Sequence, residues 1–221
     1  MERGEVAVLF LAKGIKGVYC YLLLGVGVWV FLRECVDSVV ERRTSLVVLN
    51  WLFFGVVVVG VFLGQFGFEE LSVLPGGEVV SIEGLEQSVL LFFGVFFWNL
   101  VVSGFVLLSL SGALFFVLPG VFLLVRGLLW GILLSTLPTA SFLAVLPTLV
   151  LEGEGYVLAG LVGVHLGLSW LRPSTGSDGM PPFWLDSLKR ELKESVRIYV
   201  LVVSLLLIAA VVEILTYSML F

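Results

Sequence analysis

The chain has 221 residues, of which 60% are apolar and only 13% charged, and its mean hydropathy is +1.17. Ordinary soluble domains are about 25% charged, so these values exclude a soluble globular protein and place the chain in a bilayer. The net charge is −5 and nothing in the sequence suggests the basic face that nucleic-acid binding needs, and Cys20 and Cys35, the two cysteines, form no metal-ligand spacing and read as small apolar residues.

The charges come in short clusters between apolar runs long enough to cross about 30 Å of hydrocarbon. The expected fold class is therefore all-α, a polytopic transmembrane helix bundle of about six spans, forming one membrane domain over residues 1–221. Residues 1–16 mix charge with an apolar patch and lead into a short first span, 17–32. No small-residue cleavage site follows that run, and Arg33-Glu34 comes next, so it reads as a retained helix and not as a signal peptide. Residues 1–40 thus form an N-terminal addition to a helical core at 41–221.

The loop 33–44 carries Arg33, Arg42 and Arg43, and the second span, 45–64, has Gly60 and Gly64 at a spacing that lets helix backbones approach. The segment 65–88 holds five acids, a Pro75-Gly76-Gly77 turn and no Lys or Arg. Cytoplasmic loops are enriched in Lys and Arg, which assigns the acidic loop 65–88 to the outside and the loops 33–44 and 172–195 to the cytoplasm of a multi-pass cell-membrane protein. Arg3, Lys13 and Lys16 pull against the outside N-terminus that this orientation gives a chain with a full first span.

Span three is expected at 88–110, with a break at Ser109, Ser111 and Gly112, and span four runs to Ser135 through Pro119, Arg126, Gly127 and Gly131. Passage from an outside loop to a cytoplasmic one needs an odd number of crossings. The piece 137–151 is short and carries Pro138 and Pro147, so one short re-entrant or broken segment is expected near residues 137–155, with the break at Glu152-Gly153-Glu154-Gly155. A last span, 196–221, contains Glu213.

Ionisable side chains in a span cost at least about 2.5–3.5 kcal/mol each on insertion scales and usually face the bundle interior. The resulting buried polar set is Asn99, Arg126, Glu152, Glu154, His165 and Glu213, with Asn50 beside it. Arg126 cannot lose its proton, so an acidic partner is expected, Glu152 or Glu213. The set reads equally as a clamp that fixes helix registry or as a transport pathway, and His165, among apolar neighbours, as a capped histidine more than as a ligand. Gly127, Gly131, Ala159, Gly160, Gly163 and Gly167 are the expected close-packing positions. No HExxH, GxSxG, second histidine or aspartate within an apolar run is present, which leaves no catalytic residue, no metal site and no cofactor to assign.

Four elements then resemble those of the stage II sporulation protein M family. RGLLWG at 126–131 is similar to its NGLLLG element, and LPTLVLEGEGYVLAGLVGVHLG at 146–167 to its LPHGxxELPAxxxAGxxGLxLG element, with Leu146, Pro147, Glu152, Ala159, Gly160, Gly163, Leu166 and Gly167 on matching positions. Asn99 resembles the asparagine that opens the family's core, and IAAVVE ending at Glu213 resembles its AAxIE. The chain departs from the pattern where Arg126 replaces asparagine, Thr148-Leu149 replaces His-Gly, and Gly153-Glu154 replaces Leu-Pro.

The resemblance implies an integral membrane protein that, in spore-forming bacteria, acts in engulfment with partner membrane proteins, one of them a cell-wall hydrolase. Most relatives occur where no spores form, so that role does not transfer whole. Two functions stay open: a non-enzymatic scaffold or subunit of a membrane complex, and a small-solute or ion transporter or channel using the carboxylates at the broken helix. The expected partners are the lipid bilayer and other membrane proteins or further copies of the chain, with no nucleic acid.

Overall fold

The computed structural model describes residues 29–66, 85–171 and 184–220, and among them there is no strand. Residues 29–40 form α1. After a tight turn come α2 (Arg43–Gln65), α3 (Leu85–Phe97, continuing through Trp98–Leu110 and Ser111–Leu114), α4 (Leu118–Ser135), α5 (Thr139–Leu171) and α6 (Trp184–Leu220). The chain is an all-α polytopic bundle, and five of these helices are long and apolar enough to cross a membrane: Arg43–Gln65, Val89–Leu114, Leu118–Ser135, Thr139–Leu171 and Leu185–Thr216. Most of the expected first span, 17–32, lies outside the described residues.

Between the acidic segment and the later basic one stand three such helices, an odd number, but not through a re-entrant segment. Residues 139–171 form one continuous 33-residue helix with Pro147 inside it, which corrects the expected break at 137–155. In hydrocarbon, every backbone group released by a break needs a partner within the protein, so an apolar segment keeps its helix and lets neighbours tolerate the proline. The glycines taken as breakers serve packing. A Cβ on Gly153 would come within 2.6 Å of the Phe53 ring, and one on Gly155 within 2.8 Å of Leu206.

Two expected loops are helical over much of what the structure describes of them. Residues 33–40 belong to α1, and α6 begins at Trp184, about twelve residues before the expected last span. Charged residues spaced three and four apart in LKRELKESVR support a helix outside lipid, so charge marked the membrane boundary there and not the end of the helix. Span three likewise stays helical through Ser109 and Gly112 to Leu114. Pro119, at the start of α4, occupies a position where its missing N–H removes no helix bond.

The bundle is built around α5, whose buried run includes Tyr156, Val157, Leu161 and Val162. The most extensive pairings are α2 with α4 and α5 with α6. Hydrophobic attraction does not distinguish a neighbouring helix from lipid tails, so close approach of small residues sets the contacts. A Cβ on Gly60 would lie 2.6 Å from Leu128 O and 2.9 Å from the Gly131 Cα, and one on Gly131 would collide with Val57 O. On the opposite flank, Gly163 abuts Leu108 O and Gly167 abuts Gly112 O.

Gly131→Val should therefore lower stability by about 1–3 kcal/mol, because the α2–α4 backbones cannot separate without losing the whole seam. Gly55→Ala, where an added Cβ meets nothing within 4 Å, should change it by less than about 0.5 kcal/mol. Denaturation of the two variants in mixed micelles checks the contrast.

A buried polar cluster as the candidate functional site

The middle of α3 is wound with wide turns from Trp98 to Leu110. Turns closed by i→i+5 bonds hold more than the 3.6 residues of an ordinary turn, and such widening recurs at functional sites. The buried positions in this stretch are Asn99, Ser103, Gly104, Leu108 and Ser109, in steps of four and five. Nine residues make two and a half ordinary turns, which would set Leu108 opposite Asn99. The wide winding returns it to the same side, so that these buried positions share one broad face toward α4, α5 and α6.

Arg126 reaches that face from α4. Its Nη1 donates to Ser103 Oγ at 3.1 Å, and its Nη2 donates to Tyr156 Oη at 2.6 Å and, at 3.5 Å, to Asn99 Oδ1. The guanidinium carbon also lies 4.2 Å from the centre of the Tyr156 ring, in cation–π range. From α5, Glu152 is 3% exposed and accepts from Asn99 Nδ2 at 2.5 Å on one carboxylate oxygen and from Tyr156 Oη at 3.5 Å on the other. Glu213 on α6 is near enough to act electrostatically on both Glu152 and Tyr156.

The expected direct Arg126–carboxylate pair is not formed: among the described residues no ion pair within 4.0 Å involves Arg126. Asn99 and Tyr156 stand between the charges instead, each touching both. Two neutral dipoles thereby bridge one cation and one anion through contacts of 2.5 to 3.5 Å. Two buried atoms, Arg126 Nε and Glu213 Oε2, have no protein partner among the described residues.

Of the other two sequence-assigned residues, neither joins this network through a described hydrogen bond. Glu154 turns to α2 near Asn50, whose side-chain amide donates to Leu46 O at 3.3 Å. His165 lies towards the far end of α5, 3.3 Å from Ser45 Oγ and close to Arg42 and Glu191. Ser103 and Tyr156 were missed, although each stands four residues beyond a recognised polar residue, Asn99 and Glu152, on the same helical face. A second tie follows further along α3, where Ser109 donates to Ala159 O at 2.8 Å and meets Tyr199 Oη at 2.5 Å. Among the described residues no three His, Cys, Asp or Glu side chains form a group that could hold a metal ion.

Five helices apolar enough to cross a membrane, four of which share a polar cluster, define a multi-pass helical membrane protein. The family model described as stage II sporulation protein M matches residues 44–215, and the chain belongs to that family. All of the cluster lies within the match, and α1 lies ahead of it. No curated protein and no solved structure matches the chain.

Tyr156→Phe keeps the ring under the guanidinium but removes the hydroxyl that Arg126 and Glu152 share. It should destabilise the protein by about 1–3 kcal/mol, the cost of leaving a buried charged group short of a partner. Combined with Arg126→Met it should cost less than the sum of the two changes, which a double-mutant cycle of unfolding free energies measures.

Proposed function

We propose that this protein is a non-enzymatic scaffold or subunit of a complex in the cell membrane, whose buried polar cluster fixes the register of α3, α4 and α5. The observation that carries the reading is the enclosure of Glu152: it is 3% exposed, and both its oxygens accept hydrogen bonds from side chains of the protein. A transport carboxylate must exchange its partners with solvent or cargo. One already bonded by Asn99 and Tyr156 serves cohesion. Polar side chains between membrane helices contribute roughly 0.6 kcal/mol each on average, and up to about 1.7, so a network of five is sufficient to set helix order. Its partners are other membrane proteins or further copies of the chain.

The alternative, a small-solute or ion transporter, draws on one specific feature, the two buried atoms without protein partners, Arg126 Nε and Glu213 Oε2. The orientation that goes with either reading puts residues 65–88 outside and the ends carrying Arg42, Arg43, Lys189 and Arg190 in the cytoplasm, by the excess of cations at that end.

Glu152→Gln decides between the two readings. As a scaffold, the protein should lose about 1–3 kcal/mol of stability and release co-purifying membrane proteins, while vesicles containing the wild-type chain pass no more protons than empty ones. A proton or ion flux that depends on the wild-type chain and disappears in the variant would overturn the scaffold reading. Single cysteines introduced at positions 78 and 180 should be labelled from opposite sides of the intact cell.

A further inference from the structure

Helix α1 sits on the bundle with its apolar side outward. Trp29, Val36 and Val40 are exposed, and of residues 29–40 only the small side chains of Cys35 and Ser38 are buried, at 0% and 4%. Apolar attachment is confined to Cys35 and to the half-buried Val39, which packs against the core. The other contacts to the protein are polar. Glu34 pairs with Arg197 of α6 at 2.8 Å, and Arg197 also holds Glu194 at 2.7 Å. Ser38 hydrogen-bonds to Glu194. Just past the helix, Arg42 donates to Ser38 O at 2.7 Å and pairs with Glu191 at 2.8 Å, with side-chain exposures of 9% and 17%.

These contacts fall on the part of α6 that the bilayer does not need. A 37-residue helix is about 55 Å long, against about 30 Å of hydrocarbon, so the turns carrying Glu191 and Glu194 lie at the membrane surface or beyond it. Pairs in that position are weakened by dissolved ions to the extent that they are exposed, and the Glu34–Arg197 pair is 47% and 25% exposed on its two sides. We propose that α1 is a releasable strap, a helix ahead of the family-matched region that is held on the charged protruding end of α6 by ion pairs to Glu191 and Arg197 and a hydrogen bond to Glu194, and lets go when those contacts are screened or removed. Releasing it uncovers Glu194 and the buried face around Ser38 without disturbing the interior cluster, which shares no residue with the strap.

Cys35 reports the state of the strap directly. Burial pushes its thiol up, opposed by the Arg197 guanidinium, so the docked helix protects it twice, by access and by chemistry. The experiment uses the full chain with Cys20→Ser, in lipid nanodiscs, and follows maleimide modification of Cys35. Modification should be slow at low salt and about tenfold faster near 1 M NaCl, where the Debye length is about 3 Å. Glu194→Gln should give the fast rate at low salt, while Arg33→Gln, which removes only the exposed pair with Asp37, should leave it slow. A low-salt rate equal to that of the denatured chain, or a rate that responds to neither salt nor Glu194→Gln, would refute the strap. If Glu194→Gln does not fold, the salt series on the parent chain decides alone.

Discussion

The guanidinium of Arg126 cannot shed its charge, and the hydrocarbon around α4 offers it nothing in exchange for water. That constraint orders the interior. A contact ion pair with Glu152 would neutralise both groups but leave most of their hydrogen-bonding capacity unmet, and desolvation of two such ions is only repaid when those remaining sites are filled. The observed arrangement fills them differently: Tyr156 Oη and the Asn99 amide each contact cation and anion together. Because these two mediators come from α5 and α3, the charge on α4 is satisfied only when three helices are present in one register. Asn99 and Ser103, four residues apart on α3, belong to the same solution, since both accept from the guanidinium.

Such a network needs helices close enough for short side chains to meet, and the glycines provide that closeness. Gly60 and Gly131 bring α2 and α4 together almost backbone to backbone, while Gly112, Gly163 and Gly167 do the same for α3 and α5. The two devices depend on one another. Without the glycine seams, Asn99 could not reach Glu152. Without the polar network, seams made only of small residues would leave sliding along the helix axes opposed by van der Waals packing alone, because neighbouring turns of a small-xxx-small face look alike.

Composition and charge clusters made the fold class and most helix positions readable in the sequence, because a run such as residues 45–64 has no stable conformation in lipid other than a helix. The error at 137–155 has a definite physical origin. Pro147 and Gly153 are helix breakers in water, where a freed carbonyl finds a solvent molecule; in an apolar setting the same residues stay helical, and Gly153 is small because Phe53 and Phe54 occupy the space beside it. At the candidate site, Asn99, Arg126 and Glu152 stand out as polar residues in apolar runs. The mediating role of Tyr156 did not, since a tyrosine is an ordinary member of an apolar helix until its hydroxyl is seen between two charges. The wide winding of α3 left no signal that a 3.6-residue period could detect, because its face repeats in fours and fives.

Charge is thus used in two opposite ways along the same molecule. Inside, it is enclosed, solvated by fixed dipoles and beyond the reach of salt, so it resists change and holds one packing. At the end of α6 it is partly open to water and joins a helix whose apolar contacts are limited to Cys35 and Val39, so the strength of that contact depends on the medium. The residues bear this separation: among the described residues Arg197, Glu194 and Arg42 share no hydrogen-bond or ion-pair partner with Arg126, Glu152 and Asn99, and the family match from residue 44 to 215 takes in the interior cluster while beginning just after the strap.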